Sequence, residues 1–243
     1  MERYGRRALV FDTSESVLGA AALGLVSHGI DPLYAGDEHE LVLLARENRE
    51  RIAALVVPGA LSFERLDLIL SRVVSLLPSG VGAVVVVAPP RRGSHVLALR
   101  DRGIRWVLFA PYDASELRFV VAAALAIGDA LEPRRGLRVP IRLPVSLRHA
   151  RATRTGEVTN LSLEGAYLAL EEPPESGAAL SLEFPIGERL LRVQAKVVHR
   201  VDESRPSQAE GRPGVGVVFE GLTPLETRLL EGFVRERVES FRL

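Results

Sequence analysis

Arginine is the residue whose spacing first suggests chemistry. Between Glu132 and Glu157 the chain places seven arginines, at positions 134, 135, 138, 142, 148, 151 and 154, and no acid. The whole chain balances 31 basic against 31 acidic residues, so this stretch is a local anion site in a neutral protein. Lys196 is the only lysine. A guanidinium can fork onto phosphate oxygens, fork onto guanine O6 and N7, or lie flat on a purine face. Arg134 and Arg138 are four apart with Gly136 between them, so on an extended segment they reach different parts of one anionic ligand. Downstream comes Asn160-Leu161-Ser162-Leu163-Glu164-Gly165. The Asn160 amide oxygen can accept from a base N–H, and Ser162 can donate to a phosphate or base. Gly165 would let a strand bend and a ligand come close. Each piece also has a plainer reading: an arginine cluster as a solvated face, and Asn-x-Ser-x-x-Gly as a turn bonded to its own backbone.

Other chemistry finds little purchase. There is no cysteine, which excludes disulfides, thiolate catalysis and Cys-type zinc sites. The five histidines, at 28, 39, 95, 149 and 199, have no metal-ligand spacing, so no metal is expected. Asp12-Thr13-Ser14 has no histidine base nearby in sequence. Gly214-Val215-Gly216 is half a dinucleotide fingerprint with no helix start behind it. The reading is therefore a non-enzyme without a cofactor. The N-terminal apolar run Ala8–Phe11 and the run Val81–Ala88 are too short for a signal peptide or a membrane span, so a soluble cytoplasmic protein is expected. The neutral balance gives no support to a membrane surface or to nucleic acid as partner, and no helix-turn-helix pattern is present.

The elements that must position these residues fall into two kinds. Through residue 131, short β-branched runs alternate with helical stretches. The runs are Ala8–Phe11, Pro32–Tyr34, Ile52–Val57, Gly82–Val87 and Trp106–Phe109. Near-continuous apolar runs suit strands buried on both faces. Leu41, Leu44 and Ala45, and then Leu66, Ile69 and Val73, have helical spacing, and Asp113 can cap a helix over Ser115–Leu131. Five strands alternating with five helices predict an α/β, doubly wound, five-stranded parallel sheet. From 139 to 220 the rhythm changes to period two, as in Ile141, Leu143, Val145 and Leu147, with turn signals between the runs. This predicts a small antiparallel β-barrel. Thr223 and Glu226 have capping-box spacing ahead of a C-terminal helix over Pro224–Phe241, with Leu225, Leu229, Leu230, Phe233 and Val234 on its apolar side. Two domains, 1–131 and 132–243, are expected.

The first half resembles a response-regulator receiver domain that has lost its chemistry. That family uses an acidic pair after the first strand, a phosphoacceptor Asp ending the third, a hydroxyl after the fourth and a Lys after the fifth. Here only Asp12 matches the acidic pair, Pro58 stands where the phosphoacceptor belongs, Val87-Ala88-Pro89 lacks the hydroxyl, and Ala110 replaces the lysine. The resemblance implies a half that is not phosphorylated but can still offer a docking surface, including a homodimer contact. The second half resembles the PilZ family. Arg134–Arg138 matches its RxxxR motif, and Asn160, Ser162 and Gly165 match (D/N)xSxxG in the right order. Aspartate is the commoner residue at position 160 in that family. The resemblance implies a PilZ-like barrel that binds cyclic di-GMP through Arg134, Arg135, Arg138, Asn160, Ser162 and Gly165. The expected role is a bacterial effector that relays the signal by interdomain rearrangement or to a protein partner. The alternative is a nucleotide-independent scaffold, for example in motility or pilus assembly.

Overall fold

The computed structural model describes residues 6–12, 18, 22, 25–26, 30–77, 80–89, 93–125, 137–150, 152–202 and 212–243. The chain divides into two units, residues 1–130 together with 241–243, and residues 131–240.

In the first unit, strands β1 (Arg6–Phe11), β2 (Ile30–Ala35), β3 (Ile52–Pro58), β4 (Val84–Ala88) and β5 (Trp106–Phe109) form one parallel sheet in the order β2-β1-β3-β4-β5. That order is doubly wound, with its switch point between β1 and β3. Every residue of β4 is buried, as its unbroken Val-Val-Val-Val-Ala demands. The described helices are α1 (Glu38–Glu47), α2 (Phe63–Val73), α3 (Gly93–Asp101) and α4 (Ala114–Leu125). The helix expected between β1 and β2 falls largely outside the described residues, though Leu18, Ala22 and Leu25 of that stretch are buried. Side chains set the helix starts. Asp37 accepts from the Glu40 amide at 2.8 Å, Ser62 from Arg65 at 3.3 Å, and Asp113 from Glu116 at 3.0 Å. Leu41 and Ala45 of α1 and Leu66, Ile69 and Val73 of α2 join Leu9, Leu55, Val57 and Val86 in one core. Burying each such aliphatic side chain contributes about 1.5–3 kcal/mol.

The second unit is a closed antiparallel barrel of β6 (Val139–His149), β7 (Ala152–Leu161), β8 (Gly165–Ala169), β9 (Ala179–Ile186), β10 (Arg189–Val201) and β11 (Gly214–Glu220). The strands run round it in the order β10-β11-β8-β7-β6-β9. Alternation is regular on β10, where Leu191, Val193, Ala195 and Val197 are buried and the residues between them exposed. Phe184 and Phe219 stack inside at 6.3 Å. Helix α5 (Pro224–Glu239) starts at a full capping box between Thr223 and Glu226 and packs on β6 and β9. Its buried residues are Leu230, Val234 and Val238. Leu225, expected on the apolar side, is 55% exposed in the first turn of the helix. The helix also ends at Glu239 rather than Phe241, since Phe241–Leu243 pair with β5 instead.

One irregularity decides which way Asn160 faces. Against β8, the register of β7 slips between Val158 and Asn160, leaving Thr159 as an extra residue. Val158 and Leu161 both point into the core and are fully buried. In a regular strand, residues three apart point to opposite faces. The bulge absorbs the extra residue, so Asn160 lies on the outer face between them.

Candidate functional site

The (D/N)xSxxG segment forms the tight connection between β7 and β8. Ser162 builds it. Its hydroxyl accepts from the amides of Glu164 at 3.3 Å and Gly165 at 3.2 Å, and donates to the Gly165 carbonyl at 3.1 Å. The Ser162 amide donates to the same carbonyl at 2.8 Å. A hydroxyl has one hydrogen and two lone pairs, so this turn uses all three. The turn is also stitched to β11, where the Phe219 amide donates to the Glu164 carbonyl at 2.8 Å.

Gly165 is explained by the same stitching. A Cβ at this position would stand 2.0 Å from the Val217 carbonyl oxygen. The close approach that glycine permits is that of a neighbouring strand, where the sequence alone suggests a ligand.

Strand register brings the motif residues together. Val139 pairs with Leu161 and Pro140 with Asn160 on β6 and β7. Arg138 immediately precedes Val139 and Ser162 immediately follows Leu161, so the two flank the last pair of this ladder. Paired residues of an antiparallel ladder share a face, so Pro140 and Asn160 lie together on the outer face. Arg138 is exposed, whereas Asn160 and Ser162 are only 6% and 3% exposed. Arg134 and Arg135 lie outside the described residues.

Tyr167 is a residue that the motifs do not contain. It pairs with Asn160 across β7–β8 and with Gly216 across β8–β11, which puts it on the same outer face. It is 1% exposed, and its hydroxyl donates to the Arg212 carbonyl at 2.8 Å. The signal was available as a period of two, since Tyr167 follows Gly165 by two residues on a strand.

A separate cavity of about 590 Å³ opens toward the other end of β7 and β8, lined by Arg154, Gly156, Glu157, Leu170 and Arg212. Its cations are already matched: Arg212 bonds Glu157, and Arg154 pairs with Glu172 at 3.3 Å. Neither Arg138 nor Asn160 lines it.

The carboxyl ends of the parallel strands carry the positions expected to have lost phosphotransfer chemistry. Strand β3 continues to Pro58, and the Gly59 amide donates to the Val87 carbonyl at 2.6 Å. A Cβ on Gly59 would stand 2.6 Å from the Ala88 Cβ. The ends of β3 and β4 thus pack main chain against main chain just past Pro58. Ala110 precedes a cis proline, Pro111. Burial, and then the negative charge of Asp12, holds the phenols of Tyr34 and Tyr112 above their ordinary range. Among the described residues, no group of three His, Cys, Asp or Glu could hold a metal ion, and no helix is long and apolar enough to cross a membrane.

Comparisons with known proteins bear on both units. No curated protein matches the chain. Among solved structures, a response-regulator receiver domain protein from Clostridium thermocellum is 20% identical, with a TM-score of 0.42, over 50% of this chain and 94% of its own. The PilZ domain of YcgR from Escherichia coli, solved with c-di-GMP, is 18% identical with a TM-score of 0.35, over 44% of this chain and 95% of its own. The Bacillus subtilis inhibitor of motility MotI/DgrA is 17% identical with a TM-score of 0.36, and the match spans 42% of this chain and 49% of that protein. The family model described as PilZ domain matches residues 132–236. That interval holds both motifs, the Thr159 bulge and all six barrel strands, and residues 132–236 of this chain are a PilZ domain.

Proposed function

We propose that this protein is a non-enzymatic effector that binds cyclic di-GMP on the outer face of its PilZ barrel. The observation that supports the reading is the β6–β7 register, which pairs Val139 with Leu161 and Pro140 with Asn160 and so runs the two motif segments toward one another. Arg138 supplies a guanidinium for a phosphate or for guanine O6 and N7. Arg134 and Arg135 extend the same cationic lead-in. Asn160 offers an amide to the guanine edge, with Tyr167 buried beside it. Ser162 and Gly165 act mainly by holding the turn against β11. A direct bond from Ser162 to the ligand would require it to exchange its hydrogen bond to Gly165.

Cyclic di-GMP carries two phosphates and two guanines, enough for each of several guanidinium groups to take a different part of it. The signal then passes to a protein partner or into a rearrangement between the two units. Calorimetric titration with cyclic di-GMP tests the reading. Saturable binding that is weakened by Arg134→Ala and by Arg138→Ala is expected. No heat at high protein concentration would leave the motif as a turn and favour a nucleotide-independent scaffold.

A further inference from the structure

The sheet order leaves β5 at an edge, and its unpaired side is covered by residues remote in sequence. Arg242 bridges Trp106 in antiparallel fashion. The Val107 amide donates to the Phe241 carbonyl at 3.0 Å, and the Leu243 amide donates to the Arg105 carbonyl at 3.1 Å. All three side chains find seats. The Phe241 ring lies 5.2 Å from Phe119 of α4 and is 4% exposed. The Arg242 guanidinium sits over the Trp106 ring at 5.2 Å, and Leu243 packs against the core cluster. Backbone pairing at a sheet edge combined with side-chain seats is how extended peptides are recognised by strand addition. Here the periodicity of α5 would have carried Phe241 on as helix, yet the segment leaves the helix to take these seats.

We propose that the β5 edge is a strand-accepting peptide site for an extended aromatic–arginine–aliphatic segment, and that Phe241–Leu243 fills it in cis as an autoinhibitory plug. Two backbone hydrogen bonds and three side chains bind weakly in free solution. A covalently attached copy competes at an effective concentration in the millimolar range. A partner segment of the same pattern therefore gains access only when the plug is released. The edge is also protected from unspecific pairing while the plug is in place.

Trp106 is the only tryptophan of the chain, so its emission reports occupancy directly. The test titrates a labelled peptide of residues 236–243 into the full chain, into the chain lacking 241–243, and into the full-length Phe241→Ala/Arg242→Ala variant. The truncated chain is expected to bind the peptide saturably, with a change in Trp106 emission. The full chain should bind it about 100-fold more weakly, and the double variant should fall between them. Should the truncated chain fail to fold, the double variant carries the comparison with the full chain. Equal affinity of every form, or binding that leaves Trp106 emission unchanged, overturns the proposal.

Discussion

Two corners of this molecule start from comparable raw material, the ends of strands and the connections after them. At the carboxyl ends of β3 and β4 main chain meets main chain: the Gly59 amide bonds the Val87 carbonyl, and a Cβ on Gly59 would run into Ala88. At the β7–β8 corner the connection is equally tight, but a bulge and a register bring an amide and a buried phenol to one outer face, with the exposed Arg138 flanking the last pair of the ladder. Tight backbone packing is therefore common to both corners. What differs is the side chains that go with it. A proline and alanines carry no hydrogen-bonding group, whereas Arg138, Asn160 and Tyr167 each carry one.

The contrast is most vulnerable at Gly165. Gly165→Ala drives a methyl group into the Val217 carbonyl, and overpacking of that kind costs about 3 kcal/mol. Chemical denaturation should show the barrel transition at clearly lower denaturant. An unchanged midpoint would mean that the β8–β11 stitching can relax.

Arg138→Ala leaves the fold alone, because the side chain is exposed, and should weaken cyclic di-GMP by about 10- to 100-fold, the worth of one or two hydrogen bonds to a charged group. Calorimetry reads this directly. An affinity equal to that of the parent chain would remove Arg138 from the site.

Thr223→Ala deletes the N-cap of α5 and should cost about 1 kcal/mol. The partner half of that capping box has a pH signature. Bonds from the Thr223 amide and hydroxyl hold the Glu226 carboxyl below its usual value. A depressed folded-state value stabilises at pH above the ordinary glutamate value of about 4.3, and the contribution fades as pH falls through the folded value. The stability gap between the parent chain and Glu226→Gln should therefore be present at neutral pH and close in acid. A gap independent of pH would point to lost packing instead. The smallest expected effect is none at all: Pro58→Asp alone should not allow labelling by a small-molecule phosphodonor, since Ala88 and Ala110 still lack the hydroxyl and the lysine. Labelling would show that the β3–β4 closure yields to a single carboxylate.

Much of this architecture is legible in residue spacing alone. The unbroken apolar runs of β3 and β4 announce strands buried on both faces, and the change from helical spacing to period two marks the passage to the barrel. Arg138, Asn160, Ser162 and Gly165 stand out by motif. Their reasons are less legible. Ser162 serves its own turn, the plainer of the two readings the spacing allows, whereas the closeness of Gly165 to β11 arises from a strand distant in sequence. The period of two from Gly165 gives the face of Tyr167, but its neighbours Asn160 and Gly216 are set by pairing, not by spacing. The exit of Phe241 from the helix is hidden for the same reason, since the apolar rhythm of α5 continues through it while the hydrogen-bonding partner sits on β5.

Thr159 is a residue of β7 that β8 leaves unmatched. Without it Val158 and Leu161 would stand two apart, and a regular strand would still turn both inward and Asn160 outward. Its loss would therefore straighten β7 and reduce the local twist, while leaving the inside–outside pattern of the strand as it is.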